Sequence, residues 1–137
     1  MTTSTVDGVA RMQDPLTARA PMALGVFRIL VGLMYAMHGT VKLFAFPNGP
    51  TVTFGAWPSW WAAVLEVVFG LLIAVGFATR VSAFISSGVM AVAYFWKHFP
   101  DGFWPIANDG ETAALYSFIF ALLVFTGPGA LALRRQR

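Results

Sequence analysis

Apolar side chains dominate four stretches of the sequence, at residues 22–44, 60–77, 81–96 and 112–125. A helix that crosses a membrane needs about 20 mostly apolar residues to span a hydrocarbon layer of ~30 Å. The pattern therefore predicts four transmembrane helices, of which the third and fourth extend somewhat beyond their short apolar stretches. Only three residues, 78–80, separate the second stretch from the third, so these two helices must form an antiparallel hairpin.

The composition agrees with a protein whose solvent is the bilayer. The 137 residues are 58% hydrophobic and 11% charged, with a mean hydropathy of +0.70, far from the balance of a soluble domain. We predict an all-α membrane protein, a bundle of four transmembrane helices. The chain has no cysteine, which excludes disulfides, thiolate chemistry and cysteine-ligated metal clusters within it.

The basic residues serve as topology signals. With the N-terminus inside, six arginines fall on the cytoplasmic side and two lysines on the other, namely Arg11, Arg19, Arg80, Arg134, Arg135 and Arg137 against Lys42 and Lys97. This asymmetry predicts that both termini are cytoplasmic. The net charge of +3 is distributed along the edges of apolar stretches and forms no single patch, so we expect no nucleic-acid partner.

The membrane bundle occupies residues 21–130 in this interpretation, between two cytoplasmic tails. Residues 1–20 contain charges but no apolar core of signal-peptide length. We therefore expect a flexible or interfacial tail there, and no cleaved secretory signal. Residues 131–137 form the second tail, which is short and basic.

The two predicted outer loops carry similar residues. Lys42 precedes Phe-Pro-Asn-Gly and Trp-Pro, and Lys97 precedes Phe-Pro-Asp-Gly and Trp-Pro, although the spacings differ. Their aromatic rings favour an anchoring belt at the membrane interface. The similarity also leaves open a parallel repeat of two helical hairpins, an arrangement found in some transporters.

Two ionisable side chains, Arg28 and Glu66, fall deep inside the predicted helices. A charge within hydrocarbon costs at least ~2.5–3.5 kcal/mol, so each is a candidate for function. At a rise of ~1.5 Å per residue, Arg28 lies roughly 10 Å and Glu66 roughly 17 Å from the inner boundary. Because a guanidinium can span that difference, we predict a buried structural ion pair between Arg28 and Glu66.

The first helix also carries a polar stripe, formed by Arg28, Tyr35, His38 and Lys42. Its members fall within a narrow arc because steps of 7, 10 and 14 residues return to nearly the same helix face. Carboxylate, imidazole, phenol and guanidinium groups in one bundle can bind the carbonyls of a quinone ring and exchange its protons. The candidate ligand-binding residues are the stripe, Glu66 and an acidic residue at the start of the fourth helix: Arg28, Tyr35, His38, Lys42, Glu66 and Glu111.

Other interpretations of the polar residues remain open. The charges can simply lock the bundle together, with the lysines reaching to the interface. His38 and His98 meet the minimum requirement for bis-histidine haem ligation, and the serines at 82, 86 and 87 can line a path or bond a neighbouring helix. We recognise no nucleophile with its base and no cluster of metal ligands, so we predict no catalytic residue and no metal site.

Several short motifs occur in a recognisable order along the four helices. They are Arg28, His38-Gly39-x-x-Lys42-Leu43, Glu66 with Gly70, Gly76-Phe77-Ala78-Thr79-Arg80, and Asn108-Asp109-Gly110-Glu111 with Leu115-Tyr116. Over residues 24–129 the chain thereby resembles the DoxX family of small bacterial membrane proteins. The resemblance implies a compact four-helix bundle in the bacterial inner membrane, related to subunits of thiosulfate:quinone oxidoreductase. By position, it implies as characteristic polar residues Arg28, His38, Lys42, Glu66, Arg80 and Glu111.

We therefore expect an integral membrane subunit of an oxidoreductase assembly, which faces a quinone or anchors a redox partner. The chain has no redox centre of its own, so a partner protein would deliver the electrons, and quinone is the one expected cofactor, bound without a covalent link. The alternatives are a non-enzymatic structural or interaction subunit, whose arginine-bearing tails bind proteins or anionic lipid, and a small transporter of solutes or lipids. On the first helix, Gly25, Gly32 and Gly39 occur at heptad spacing, and such small residues let another helix backbone come close. Glycine seams of this kind would also permit a homo-oligomer.

Overall fold

A computed structural model describes residues 14–133, which form four long α-helices and no strand. The helices are α1 (Ala20–Phe44), α2 (Ser59–Val75), α3 (Thr79–Ala93) and α4 (Glu111–Thr126). One helical turn, Pro15–Ala18, precedes α1 and is capped by the side chain of Asp14. A π-helical turn, Tyr94–His98, and a 3-10 turn, Phe99–Asp101, continue α3. Each of the four predicted stretches coincides with one helix, and the third extends past residue 96 as expected.

The helices differ in how well each alone could cross a membrane. α1 has 25 residues and is long and apolar enough by length and composition. α2 and α4 are apolar but shorter, with 17 and 16 residues. Within residues 14–133, α1 is the one helix that meets both criteria.

The chain runs up and down through the bundle and gives it two distinct ends. The start of α1, the three-residue turn between α2 and α3, and the end of α4 lie at one end, which we call the terminus end. The long connections 45–58 and 99–110 lie at the opposite end, which we call the loop end. The turn between α2 and α3 is tight because Gly76 and Ala78 both adopt left-handed backbone conformations, with φ of 76° and 46°.

The first hairpin, α1 with α2, is packed through glycines. A Cβ at Gly32 would lie 2.6 Å from the backbone nitrogen of Ala74, and one at Gly70 would lie 2.7 Å from that of Ala36. Gly39 is equally close to the carbonyl oxygen of Ala63, at 2.5 Å. The two backbones therefore touch along the seam, as the spacing of Gly32 and Gly39 predicts.

The second hairpin, α3 with α4, is joined by hydrogen bonds of serines, whereas the first is packed through glycines. The Ser87 hydroxyl donates to the carbonyl of Ser117 at 2.8 Å, and the Ser117 hydroxyl donates to the carbonyl of Ser87 at 3.1 Å. Between the hairpins the backbones of α1 and α4 stay apart. Large buried side chains fill this space, namely Tyr35, Ile73, Tyr116, Phe120 and Leu123.

The residues after α4 fold back across the terminus end. The amide of Ala130 donates to the carbonyl of Pro21 at 2.8 Å, and the amide of Leu133 donates to that of Val75 at 3.0 Å. The predicted second tail, 131–137, is therefore held on the bundle at residues 131–133. Residues 134–137 and residues 1–13, with Arg11, lie outside the described part of the chain, and the tail predicted for 1–20 is described only from residue 14.

Candidate functional site

A single ion pair joins the first hairpin near the loop end. The Nζ of Lys42 lies 2.6 Å from the Oε1 of Glu66. Glu66 is 1% exposed, whereas the lysine side chain is 35% exposed and reaches it from the last turn of α1. Gly70, one turn further along α2, allows the backbone of α2 to contact that of α1 and thereby holds Glu66 close to α1. It is the one salt bridge within residues 14–133.

The predicted ion pair between Arg28 and Glu66 is wrong. Arg28 is fully buried, but its Nη1 donates to the carbonyl of Pro128 at 3.0 Å and its Nη2 to that of Leu131 at 2.9 Å. The guanidinium therefore holds the C-terminal segment against the terminus end. Lys42, which we predicted as a candidate ligand-binding residue, binds the carboxylate instead.

Three polar atoms near this ion pair are buried without a hydrogen-bond partner. They are the Oε2 of Glu66, the hydroxyl of Tyr35 and the hydroxyl of Ser86, contributed by α2, α1 and α3. Tyr35 lies beside Ser86 and within electrostatic range of Glu66, although the two hydroxyls do not reach hydrogen-bonding geometry. Because a buried polar group without a partner costs free energy, a polar ligand or a water that bonded these atoms would stabilise the protein.

An aromatic cluster borders the unpartnered atoms on the side of α4. The ring of Tyr35 lies 4.7 Å from that of Phe120 and 5.5 Å from that of Tyr116. Tyr116 and Phe120 stack on each other at 5.6 Å. We did not predict Tyr116 as a site residue, because the sequence of α4 is apolar on all sides and does not indicate which face is buried.

His38 lies where α1 and α4 meet at the surface of the bundle. Its ring is perpendicular to that of Tyr116, with 5.5 Å between the centroids, and the side chain is exposed. Glu66 and Lys42 are near enough for their charges to act on it. The structure thus gathers five residues into what we call the polar site: Tyr35, His38, Lys42, Glu66 and Ser86, with Tyr116 at its border.

Glu111 is not part of this cluster. It is exposed in the first turn of α4, where its negative charge favours the helix N-terminus. The buried polar residue at the loop end is Asn108, whose Nδ2 donates to the carbonyl of Gly102 at 2.7 Å and whose Oδ1 accepts from the amide of Gly110 at 2.8 Å. His98 lies against the carbonyl of Asn108 at 3.0 Å. These bonds hold the 99–110 connection together.

Arg80 has a structural position at the terminus end. Its Nη1 donates to the carbonyls of Val124 and Phe125, in the last turn of α4, where a basic side chain caps the helix. A cavity of about 440 Å³ lies beside it, lined by Pro21, Arg80, Thr126 and residues 128–132. The cavity touches none of the residues of the polar site.

The polar site combines charge compensation with free hydrogen-bonding capacity. Lys42 neutralises one oxygen of Glu66, and the other oxygen and two hydroxyls are left to bind a ligand. This set can accept and donate hydrogen bonds to a carbonyl or hydroxyl and can exchange a proton. Within residues 14–133 no three His, Asp or Glu side chains come close enough to hold a metal ion.

Comparison with known proteins places the chain in a family. A family model described as DoxX matches residues 23–99, more than half of the chain. An uncharacterized protein of Haemophilus influenzae is 44% identical over 119 residues, which cover 82% of this chain and 89% of that relative. No solved structure matches. On the strength of the family match and the relative, this chain is a member of the DoxX family and shares its membrane-protein character.

Proposed function

We propose that the chain is an integral membrane subunit of a quinone-linked oxidoreductase assembly and that the polar site binds the quinone headgroup. In this proposal the four helices all cross the bilayer, with both termini in the cytoplasm and the loop end on the opposite side. Electrons come from a partner protein. Membership of a membrane family and the all-helical bundle are compatible with this arrangement.

The observation that supports the proposal most is the set of unpartnered atoms in the polar site. Glu66 Oε2, the Tyr35 hydroxyl and the Ser86 hydroxyl come from three helices, and these residues are each at most 1% exposed. Inside hydrocarbon an unsatisfied polar group costs several kcal/mol. A planar ring with polar carbonyls would satisfy the hydroxyls and stack on the neighbouring aromatic side chains.

Four residues of the polar site have a role at the headgroup in this proposal. Tyr35 and Ser86 donate hydrogen bonds to a carbonyl oxygen of the ring, and Glu66 exchanges the proton that accompanies its reduction. Lys42 fixes the Glu66 carboxylate from the opposite side. The bound quinone supplies the capacity to carry electrons, which no side chain of this cysteine-free sequence provides.

The quinone would reach the polar site from the bilayer, between α1 and α4. The backbones of these helices stay apart, and His38 and Tyr116 meet at the surface between them. A headgroup that enters here displaces side chains and leaves the backbone in place. The isoprenoid tail stays in lipid, which suits the exposed apolar residues on α1, such as Leu30 and Met34.

Binding of a short-chain quinone analogue to the purified protein tests the proposal. We expect saturable binding to the wild type and loss of affinity of at least tenfold, about 1.4 kcal/mol, in Glu66→Gln or Tyr35→Phe. Glu111→Gln is the matched control, because it makes the same change at an exposed carboxylate. Equal affinity in the wild type, Glu66→Gln and Tyr35→Phe would contradict the proposal, as would an absence of saturable binding to the wild type.

A second function has its own supporting observation. The terminus end exposes Arg19 and Arg80 and is covered by the C-terminal segment, which suits a subunit that docks an acidic protein or anionic lipid without chemistry of its own. Gentle detergent extraction separates the two functions. A stoichiometric partner that stays bound in Glu66→Gln, together with no quinone, would favour the docking subunit, and solute flux in proteoliposomes would favour a transporter.

A further inference from the structure

The unpartnered buried atoms extend beyond the polar site. Within residues 14–133 five such side-chain atoms occur: Arg28 Nε, Tyr35 Oη, Glu66 Oε2, Thr79 Oγ1 and Ser86 Oγ. Three of them belong to the polar site. The other two, on Arg28 and Thr79, lie at the terminus end and take no part in the proposed quinone site. A quinone headgroup bound at the polar site would therefore leave these two atoms without a hydrogen-bond partner.

Four of the five atoms belong to two parallel rows of residues, one on α3 and one on α1, and the fifth belongs to Glu66 on α2. Thr79, Ser82 and Ser86 share one face of α3, because steps of three and seven residues return to that face, and each is at most 1% exposed. Arg28 and Tyr35 form the second row on α1, which runs in the same direction as α3. In both rows seven residues separate the first member from the last, a rise of ~10 Å.

The ends of the two rows lie at matching depths along the bundle. At the terminus end the Nη1 of Arg28 lies directly against Gly76, three residues before Thr79. At the other end Ser86 lies beside Tyr35, which is near Glu66. Polar side chains therefore follow the interior of the bundle from the terminus end to the polar site, and Ser82 lies midway.

We infer that this row of polar groups, the polar file, holds a chain of water molecules that moves protons between the terminus end and Glu66. Water is the ordinary partner of buried polar atoms that lack one, and a hydrocarbon environment raises the cost of leaving them bare. Each water accepts one proton and passes on another, and the waters then turn back to their first orientation, which restores the file for the next proton. The inference rests on the proposed function for its use, since quinone reduction consumes protons at Glu66.

The charges around the polar file set its direction. Lys42 and His38 on α1, Tyr116 on α4 and the Ser86 hydroxyl on α3 surround Glu66, and the Lys42 pair covers it on the loop side. At the other end the charge of Arg28 is bonded to carbonyls of the C-terminal segment, beside the cavity that residues 128–132 line at the terminus end. The file therefore opens toward the terminus end and ends at Glu66.

Radiolytic footprinting tests for the water. Hydroxyl radicals formed from water inside a protein oxidise the side chains beside that water, even where these are buried. We expect rapid oxidation of Tyr35 and none of Leu123, which is equally buried at 0% exposure but is an apolar side chain of α4 outside the file. Oxidation of Tyr35 should be lost in Ser86→Val and kept in Ser87→Val, because Ser87 is bonded to α4 outside the file. No oxidation of wild-type Tyr35 would overturn the inference.

Difference infrared spectroscopy of proteoliposomes tests the proton transfer. The carboxylic acid band that is absent in Glu66→Gln should respond to a pH jump on the side of the terminus end and not to one on the side of the loop end. Thr79→Val, which changes shape little, should slow that response, and Ser87→Val should not. No Glu66 band at any pH at which the protein stays folded, or a response from the loop side, would overturn the inference. Both tests are made without quinone, so a failure of quinone binding leaves their results intact.

Discussion

The carboxyl group of Glu66 is buried beside one lysine, so much of the compensation of its negative charge comes from one contact. The 2.6 Å bond from Lys42 satisfies Oε1, and Oε2 has no partner within the described chain. Removing one member of a buried pair leaves an uncompensated charge, which costs more than the pair itself contributes. The lysine is 35% exposed, and solvent screening reduces that cost.

Lys42→Met should therefore destabilise the protein by about 1–3 kcal/mol, because the carboxylate loses its partner. The measurement is thermal or denaturant unfolding in a mild detergent. Lys42→Met combined with Glu66→Gln should be more stable than Lys42→Met alone, since the amide needs no counter-charge. A double variant that is less stable than the wild type by the sum of the two single effects would argue against the pair as described.

Arg28 should hold the C-terminal segment on the bundle, and this role can be tested apart from any ligand. In Arg28→Met the carbonyls of Pro128 and Leu131 lose their donors. We expect faster hydrogen exchange at the amides of Ala130 and Leu133, which are bonded to Pro21 and Val75. Arg19→Met is the control, because Arg19 is exposed and forms no side-chain hydrogen bond within residues 14–133. Unchanged exchange in Arg28→Met would contradict this role.

The two hairpins owe their different packing to the small residues on their facing sides. In the first hairpin an added Cβ at Gly32, Gly39 or Gly70 would lie 2.5–2.7 Å from backbone atoms of the opposite helix. In α3, Gly88 faces open space, with nothing within 4 Å of an added Cβ. Glycines that look alike in the sequence therefore differ in what they contribute.

Gly70→Ala should destabilise the protein by about 1–3 kcal/mol, because α1 and α2 must move apart to admit the methyl group. Gly88→Ala makes the same change at an open helical position and should be neutral or stabilising by up to about 1 kcal/mol. Unfolding midpoints of the two variants in the same detergent check the difference. Equal effects of the two substitutions would mean that α1 and α2 are not in backbone contact at Gly70.

The sequence was sufficient to predict the helices but not the partners of their charges. Long apolar runs and the short 78–80 link determine the four elements and the hairpin, and heptad glycines predict the close seam. Depth along a helix does not reveal direction around it, so Arg28 and Glu66 were wrongly paired. The partners of Arg28 are backbone carbonyls of a segment that has no periodic pattern. Tyr116 was missed because α4 is apolar on every side.

At the scale of the whole molecule, the surface of the described residues is rich in exposed apolar side chains. Large apolar side chains are exposed on every helix, among them Leu30, Leu71, Phe84, Phe118 and Phe125. A soluble monomer rarely exposes apolar patches of this extent. Within residues 14–133 the charges are confined to the two ends and to the buried groups already described. These features favour insertion of the entire bundle, which is the premise of the proposed topology.

Cysteine labelling tests this topology. Because the sequence contains no natural cysteine, the label reacts only with the introduced thiol of this protein. Thr51→Cys and Asp101→Cys place a thiol at exposed positions of the loop end, and Ala18→Cys and Leu133→Cys place one at the terminus end. An impermeant maleimide added to intact bacterial spheroplasts should label the first pair at once. It should label the second pair only after permeabilisation. Labelling of both ends in intact spheroplasts would contradict four crossings.

Photo-crosslinking in native membranes tests whether a quinone headgroup binds beside Glu66, as we propose. A short-chain quinone with a photoreactive group on its ring is illuminated in membranes that contain the protein, and the modified peptides are identified by mass spectrometry. We expect crosslinks to α1 near Tyr35 and His38 and to α4 near Tyr116, competed by excess unmodified quinone and lost in Glu66→Gln. Crosslinks spread over the exposed apolar surface, or unchanged in Glu66→Gln, would contradict the claim.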